Sequence, residues 1–306
     1  MAMDKSVLHP AGAGEPSAAH SGAAYASGGT EGGTGPVKGR LPGSGLPGPI
    51  RQLLPPLAAF VVFAGGWEFI VKALDIPPYI LPKPSDIVRA GLANKSGLWV
   101  SVTTTMTEAV VGFLLSILFG VAGAILLASS KWIEKSVYPY AVILQTIPIV
   151  AIAPIIVIWF GAGMNAIVII AFLIGFFPML SNTLIGLNST DHNMKNLFYL
   201  YNASPLQTMW KLRIPAALPY IVAGLKISCT LAVIGAIVGE YIAGIGGGQG
   251  GLGYAITVAA SRLQTPYLFA CGLSASLLGI GFFLLVNLFS KWMLSSWHES
   301  EMRTEN

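Results

Sequence analysis

The stretch YNASPLQTMWKLRIPAALPY, Tyr201–Tyr220, stands between two long apolar runs and is patterned too closely for a slack connection. Ahead of it, Asp191 can cap a helix through Asn193, Leu197, Phe198, Leu200 and Tyr201. Asn202 then breaks that helix, being one of the few non-glycine residues that tolerate a left-handed backbone. Ser204 follows as N-cap, Pro205 fits the first helical position, and Gln207 sits three residues after the serine, a capping box of the S-x-x-Q kind. The second helix is predicted to be short and to end before Pro215. Leu206, Met209 and Trp210 recur at i, i+3 and i+4, which predicts one apolar face. Two short helices joined by a tight turn make a rigid knob. Local pattern leaves two uses for it: a helical loop packed on its own chain, or a surface offered to a partner.

The chain around the knob is made for lipid. Of 306 residues, 54% are hydrophobic and 10% charged, and the mean hydropathy is +0.70; an average soluble domain carries about 25% charged residues. The net charge of +4 is dispersed, with no basic run, so nucleic acid is not an expected partner. Apolar runs near 53–72, 105–128, 137–159, 166–186, 217–239 and 268–290 are each long enough to cross about 30 Å of hydrocarbon as a helix. The expectation is an all-α membrane protein with about six spans. Placing both termini in the cytoplasm puts eleven Lys and Arg inside and five outside, with Lys226 within a span; that bias favours the N-terminus inside. Trp67, Trp99, Trp159, Trp292 and Trp297 fall near predicted span ends. Between spans one and two, Ser85 and Asp86 are placed to cap a short amphipathic helix through Ile87, Ala90 and Leu92, lying on the outer membrane surface.

Residues 1–48 are rich in Gly, Ala, Ser and Pro and hold too little apolar surface to offset ordering entropy. They are expected to be a disordered cytoplasmic tail without the apolar core of a secretory signal. The membrane domain is expected at 49–295, with the knob as a cytoplasmic loop at about 190–215, and a short cytoplasmic tail at 296–306. Cys229 and Cys271 lie inside apolar runs and read as small hydrophobes.

Several polar side chains inside the spans are candidates for a transport pathway or gate, because ionisable groups cost about 2.5–3.5 kcal/mol each at a helix centre. Glu108 in span two is either a pathway or helix-pairing carboxylate or one that reaches interfacial water. Lys226 in span five either faces a pore or snorkels to the surface. Glu240 ends span five, either solvated at the interface or serving as a gate. Gln145 and Thr146 neighbour Pro148 in span three, whose prolines free backbone carbonyls; solute contact and helix–helix hydrogen bonding are both open, as they are for Asn182 in span four. Gly235 and Gly239 form G-x-x-x-G, a packing signal. No catalytic constellation occurs. His9, His20, His192 and His298 share no metal-ligand spacing, and no G-x-x-x-x-G-K-[ST] phosphate loop is present. Gly246, Gly248 and Gly251 satisfy G-x-G-x-x-G without a preceding strand, and read as an outer turn.

The knob resembles the cytoplasmic EAA loop of ABC-importer permeases: E-A-A, three residues, G, nine residues, I-x-L-P. Asn202 stands at the glycine and Leu212-Arg213-Ile214-Pro215 at I-x-L-P, while Asn196, Leu197 and Phe198 replace E-A-A. ILPKPSDIV (80–88), TEAVVGFLLS (107–116), QTIPIVAIAPIIVIWFG (145–161), FFPMLSNTLIGL (176–187) and GGLGYAI (250–256) look like further landmarks of the nitrate/sulfonate/taurine branch, which includes pyrimidine-precursor and riboflavin permeases. The resemblance covers roughly 50–295. It implies a type I importer permease in a bacterial cytoplasmic (inner) membrane, pairing with a second permease chain. A separate ATPase subunit would bind ATP and Mg, and an extracellular solute-binding protein would deliver the solute. Asn202, Ala203, Ser204, Pro205, Leu206, Gln207, Met209, Trp210, Lys211 and Pro215 would be the ATPase-coupling residues, this chain having no cofactor of its own. A carboxylate at the position of Glu240 is frequent in the family. The solute expectation leans to a pyrimidine precursor or riboflavin, with nitrate, sulfonate and taurine open. A stand-alone secondary transporter or channel is the alternative; it favours inverted repeats and midplane charges, and leaves the knob unexplained. A membrane scaffold leaves the landmarks unexplained as well.

Overall fold

Proline and glycine positions divide the apolar sequence into helices whose lengths match a bilayer. The structure, a computed structural model, describes residues 48–243 and 250–298. The chain divides into Met1–Leu53 and Leu54–Asn306; apart from the start of the first helix, only the second unit is described below. The expected disordered tail, the glycine turn at Gly246 and Gly248, and the end of the C-terminal tail lie outside the described residues.

The elements are all helical: α1 (Gly48–Ala73), α2 (Pro84–Ala93), α3 (Lys95–Ser129), α4 (Lys131–Gln145), α5 (Ile149–Phe160), α6 (Met164–Asn188), α7 (His192–Leu200), α8 (Pro205–Thr208), a π-helical turn (Met209–Arg213), α9 (Ile214–Ala243), α10 (Leu252–Ser261) and α11 (Thr265–His298). Among the described residues, five helices are long and apolar enough to span a membrane. The expected third span is a bent pair instead, with α4 and α5 meeting at 96°. The cause is Pro148, which has no N–H to continue the ladder and disfavours helical backbone in the residue before it. The Thr146 hydroxyl donates to the Ile143 carbonyl at 2.7 Å where α4 stops.

The amphipathic helix expected between the first spans is present as α2, but its start differs. Lys83 is the N-cap and Pro84 opens the helix. Ser85 is used elsewhere: its N–H and hydroxyl both donate to Glu68 of α1, at 3.1 and 2.9 Å. The following span begins earlier than its apolar run suggests, at Lys95. The hydroxyls of Thr103, Thr104 and Thr107 donate to carbonyls one turn back, which lets a polar stretch remain helical.

At the centre, α6 lies between α3 and α9. Lipid tails are as apolar as leucine, so helices in a bilayer associate through close packing and hydrogen bonds. A Cβ on Gly112 would stand 2.6 Å from Ala171 Cβ, and one on Gly235 2.7 Å from Ala171 Cα; glycine is required on both neighbours of the same alanine. The Ser116 hydroxyl donates to the Phe172 carbonyl at 2.8 Å and that of Ser228 to the Gly175 carbonyl at 2.7 Å. The G-x-x-x-G pair therefore packs on α6 of its own chain. Cys229 and Cys271 are buried free thiols in this core.

Candidate functional site

The knob forms at the end of the bundle where α3 and α6 finish and α9 begins. Asp191 caps α7, its Oδ1 accepting from the N–H groups of Asn193 and Met194. Asn202 has φ 50°. Its N–H donates to the Tyr199 carbonyl and that of Ala203 to the Phe198 carbonyl, both at 3.0 Å, the paired bonds of a Schellman ending. Ser204 and Gln207 complete the capping box: Gln207 N–H donates to Ser204 Oγ at 3.2 Å, and Ser204 N–H to Gln207 Oε1 at 2.9 Å.

The second helix does not stop before Pro215, as expected from the proline. It passes through the π-helical turn into α9, so one helical rod runs from Pro205 to Ala243. The Ile214 N–H donates to the Met209 carbonyl, five residues back. The ladder thus changes register immediately before Pro215, where that residue has no donor to give.

The three apolar side chains also divide. Leu206 and Trp210 are 69% and 61% exposed, whereas Met209 is 7% exposed and packs with Leu127, Leu184 and Ala217. Positions i and i+4 lie about 40° apart around a helix and i+3 falls about 60° to the other side, so Met209 faces inward and anchors the knob. Ser204, Pro205, Gln207 and Lys211 are exposed with Leu206 and Trp210; Ala203 and Pro215 are half-buried.

Arg213, visible in the sequence only as a letter in a landmark, ties this end together. Its Nε donates to the Leu187 carbonyl at 2.9 Å, Nη1 to the Ala128 carbonyl at 2.7 Å, and Nη2 to Asn188 Oδ1 at 2.8 Å. Ala128 and Leu187 lie in the last turns of α3 and α6, where carbonyls lack helical donors and a cation is favoured. Asn188 in turn donates to Glu134 Oε1 of α4 at 2.7 Å. Beside this network is a cleft of about 740 Å³, lined among others by Lys131, Lys195, Tyr199, Leu206 and Trp210. Burial, with Arg213 and Lys131 nearby, holds the Lys195 ammonium below the ordinary lysine range, against the pull of Asp191.

The other candidates are not at this end. Glu108 lies in the first half of α3 and Glu240 in the last turn of α9, and they are 3% and 1% exposed. The interfacial-water readings are therefore set aside for both: the protein encloses them. Glu240 Oε1 accepts from the Thr105 hydroxyl and Oε2 from the Gly253 N–H, each at 2.6 Å, and Leu252 N–H donates to Thr105 Oγ1 at 2.8 Å. A Cβ at Gly251 would fall on Glu240 Oε1, so GGLG is glycine-rich where its backbone closes over a buried carboxylate. The Glu108 side chain reaches Glu240, and its Oε2 has no hydrogen-bond donor. Sequence reading treated the two as separate because 132 positions divide them, and it missed Thr105, whose only signal was a place in a threonine run.

Gln145 and Thr146 are exposed at the α4–α5 bend. Asn182 is half-buried and its amide donates to the Pro178 carbonyl of its own helix at 2.8 Å. Lys226 is half-buried on α9. The structure does not gather these four into one site.

Residues 96–295 match the family described as binding-protein-dependent transport system inner membrane component. The chain is 37% identical over 219 residues to a Haemophilus influenzae protein named "Probable ABC transporter permease protein", covering 72% of this chain and 88% of the relative. It is 36% identical to the formylaminopyrimidine transport permease ThiX of Halalkalibacterium halodurans, covering 75% of this chain and 90% of the relative. It is 33% identical to the riboflavin transport system permease RibX of Chloroflexus aurantiacus, covering 76% and 86%. With its apolar spanning helices and a match that runs through the α7–α8 loop, the chain belongs to the binding-protein-dependent inner membrane components, the multi-pass permeases of ABC importers.

Proposed function

We propose that this chain forms the translocation pathway of an ATP-driven importer, and that the α7–α8 knob couples it to a separate ATPase subunit which binds ATP and Mg. The knob end faces the cytoplasm in this reading, as the Lys and Arg bias favours. A second permease chain completes the pathway, and an extracellular binding protein delivers the solute. The observation that carries the reading is mechanical. Leu206 and Trp210 point outward on the same rod that becomes α9, so a subunit gripping them grips a spanning helix directly. An apolar ridge of this kind suits a partner groove.

The solute class supported best is a small heterocycle of the pyrimidine-precursor or riboflavin kind, because relatives named for formylaminopyrimidine and riboflavin transport match at 36% and 33% identity. Nitrate, sulfonate and taurine are the competing classes, and an uptake screen across all five separates them. The coupling assignment is tested by purifying the tagged chain from its host in mild detergent beside a Leu206→Asp, Trp210→Asp variant. A P-loop ATPase is expected with the wild type and at least tenfold less with the variant. A monodisperse variant that keeps its full complement of ATPase contradicts the assignment of these two residues.

A further inference from the structure

The cleft beside the knob has uneven charge. Lys131, Lys195 and Arg213 line it, against the single carboxylate of Glu134 among its described lining residues. Arg213 is committed to Ala128, Leu187 and Asn188, and Glu134 accepts from Asn188. Asp191, the acid nearest Lys195 along the chain, is committed to capping α7. Lys131 and Lys195 form no ion pair among the described residues, whose one salt bridge joins Lys72 and Glu68.

Two uncommitted ammonium groups therefore stand at one cleft, one of them half-buried beside a guanidinium. Like charges partly removed from water repel, and an anion brought between them gains from both while relieving the repulsion. The same cleft is walled by the exposed Leu206 and Trp210. An apolar wall with free cations at its edge complements a protein segment that presents apolar area next to a carboxylate. The sequence also bears on the sign of the charge. Where the EAA pattern has a glutamate, this chain has Asn196, directly after Lys195. The chain thus contributes no carboxylate at that position.

We propose that this cleft receives an acidic side chain of the ATPase subunit, paired with Lys131 and Lys195 while Leu206 and Trp210 cover the apolar surface around it. The proposal rests on the coupling role assigned to the knob. It identifies the partner surface by its chemistry, an Asp or Glu beside an apolar groove, and makes docking weaken as salt rises.

The test uses the full chain copurified with its ATPase. A zero-length carbodiimide joins an amine to a carboxylate in contact with it, and mass spectrometry of the linked peptides locates the bond. The expected result is a link from Lys195 or Lys131 to an Asp or Glu of the ATPase. Lys131→Arg with Lys195→Arg should retain the ATPase and lose the link, because a guanidinium is not coupled. Lys131→Glu with Lys195→Glu should reduce bound ATPase at least tenfold. The proposal is overturned if the charge-reversed protein keeps its ATPase and no link to that subunit forms. It is equally overturned if charge reversal spares the ATPase and instead strips phosphatidylglycerol from the complex in native mass spectrometry, which would make the cleft a lipid-headgroup site. A wild-type chain that brings down no ATPase sinks the coupling assignment itself, an outcome separate from these.

Discussion

Glu108 and Glu240 show how a buried charge is made tolerable in a chain that lives in lipid. Glu240 is supplied with two donors, the Thr105 hydroxyl and the Gly253 N–H. Glu108 Oε2 is buried with no hydrogen-bond partner, so no bond is lost when that oxygen is replaced. The two positions should then respond differently to substitution. Glu108→Gln keeps the shape of the side chain and is expected to leave the melting temperature in detergent within a few degrees. Glu240→Ala strands the Gly253 N–H in the interior, at a cost of about 1–3 kcal/mol for an unsatisfied group, while the Thr105 hydroxyl can turn to the Ser101 carbonyl. Thermal unfolding of both variants checks this. A Glu240→Ala protein as stable as Glu108→Gln would contradict the assignment of Glu240 as the carboxylate that closes the glycine segment over α3 and α9.

Among the helices, the α7–α8 loop is fixed by its caps. The Schellman ending of α7 requires a left-handed residue at position 202 and the chain uses asparagine, with φ 50°. Asn202→Gly should be tolerated and Asn202→Val should not, since a β-branched residue is a steric outlier there and the left-handed backbone costs roughly 1–2 kcal/mol. Uptake measured with both variants at equal expression is expected to be near wild type for Gly and severalfold lower for Val. This loop was legible in the sequence because caps are local: Asp191, Asn202, Ser204 and Gln207 each act within five residues. The π turn was not, because an I-x-L-P-like stretch reads as a helix stop, and only the continuous backbone shows the ladder changing register before Pro215. The inward turn of Met209 was hidden for a related reason. A triplet at i, i+3 and i+4 marks a broad stripe without saying which edge of it packs.

For the whole molecule, the spans were legible from hydropathy, since twenty apolar residues in a row have few other uses. The bend between α4 and α5 was signalled by Pro148, but its 96° angle depends on how two helices pack once separated. Arg213 and the Glu108–Glu240 pair lay beyond sequence reading because their partners are far along the chain: Ala128 is 85 positions from Arg213, and Thr105 is 135 from Glu240. Contacts of that kind exist only after α3, α6 and α9 have assembled. The resulting architecture places the outward-facing ridge of Leu206 and Trp210 on one rod with α9, and α9 on the buried carboxylate at the far end. A partner moving at the ridge would, on the proposed coupling role, move α9 through this rod. The most direct test is a Gly-Gly insertion between Thr208 and Met209, with bound ATPase and ATP-driven solute uptake measured on the same preparation. The ATPase is expected to stay bound, because the caps and the exposed ridge are intact, while uptake falls at least tenfold. Uptake near the wild-type rate with the insertion in place would contradict that coupling.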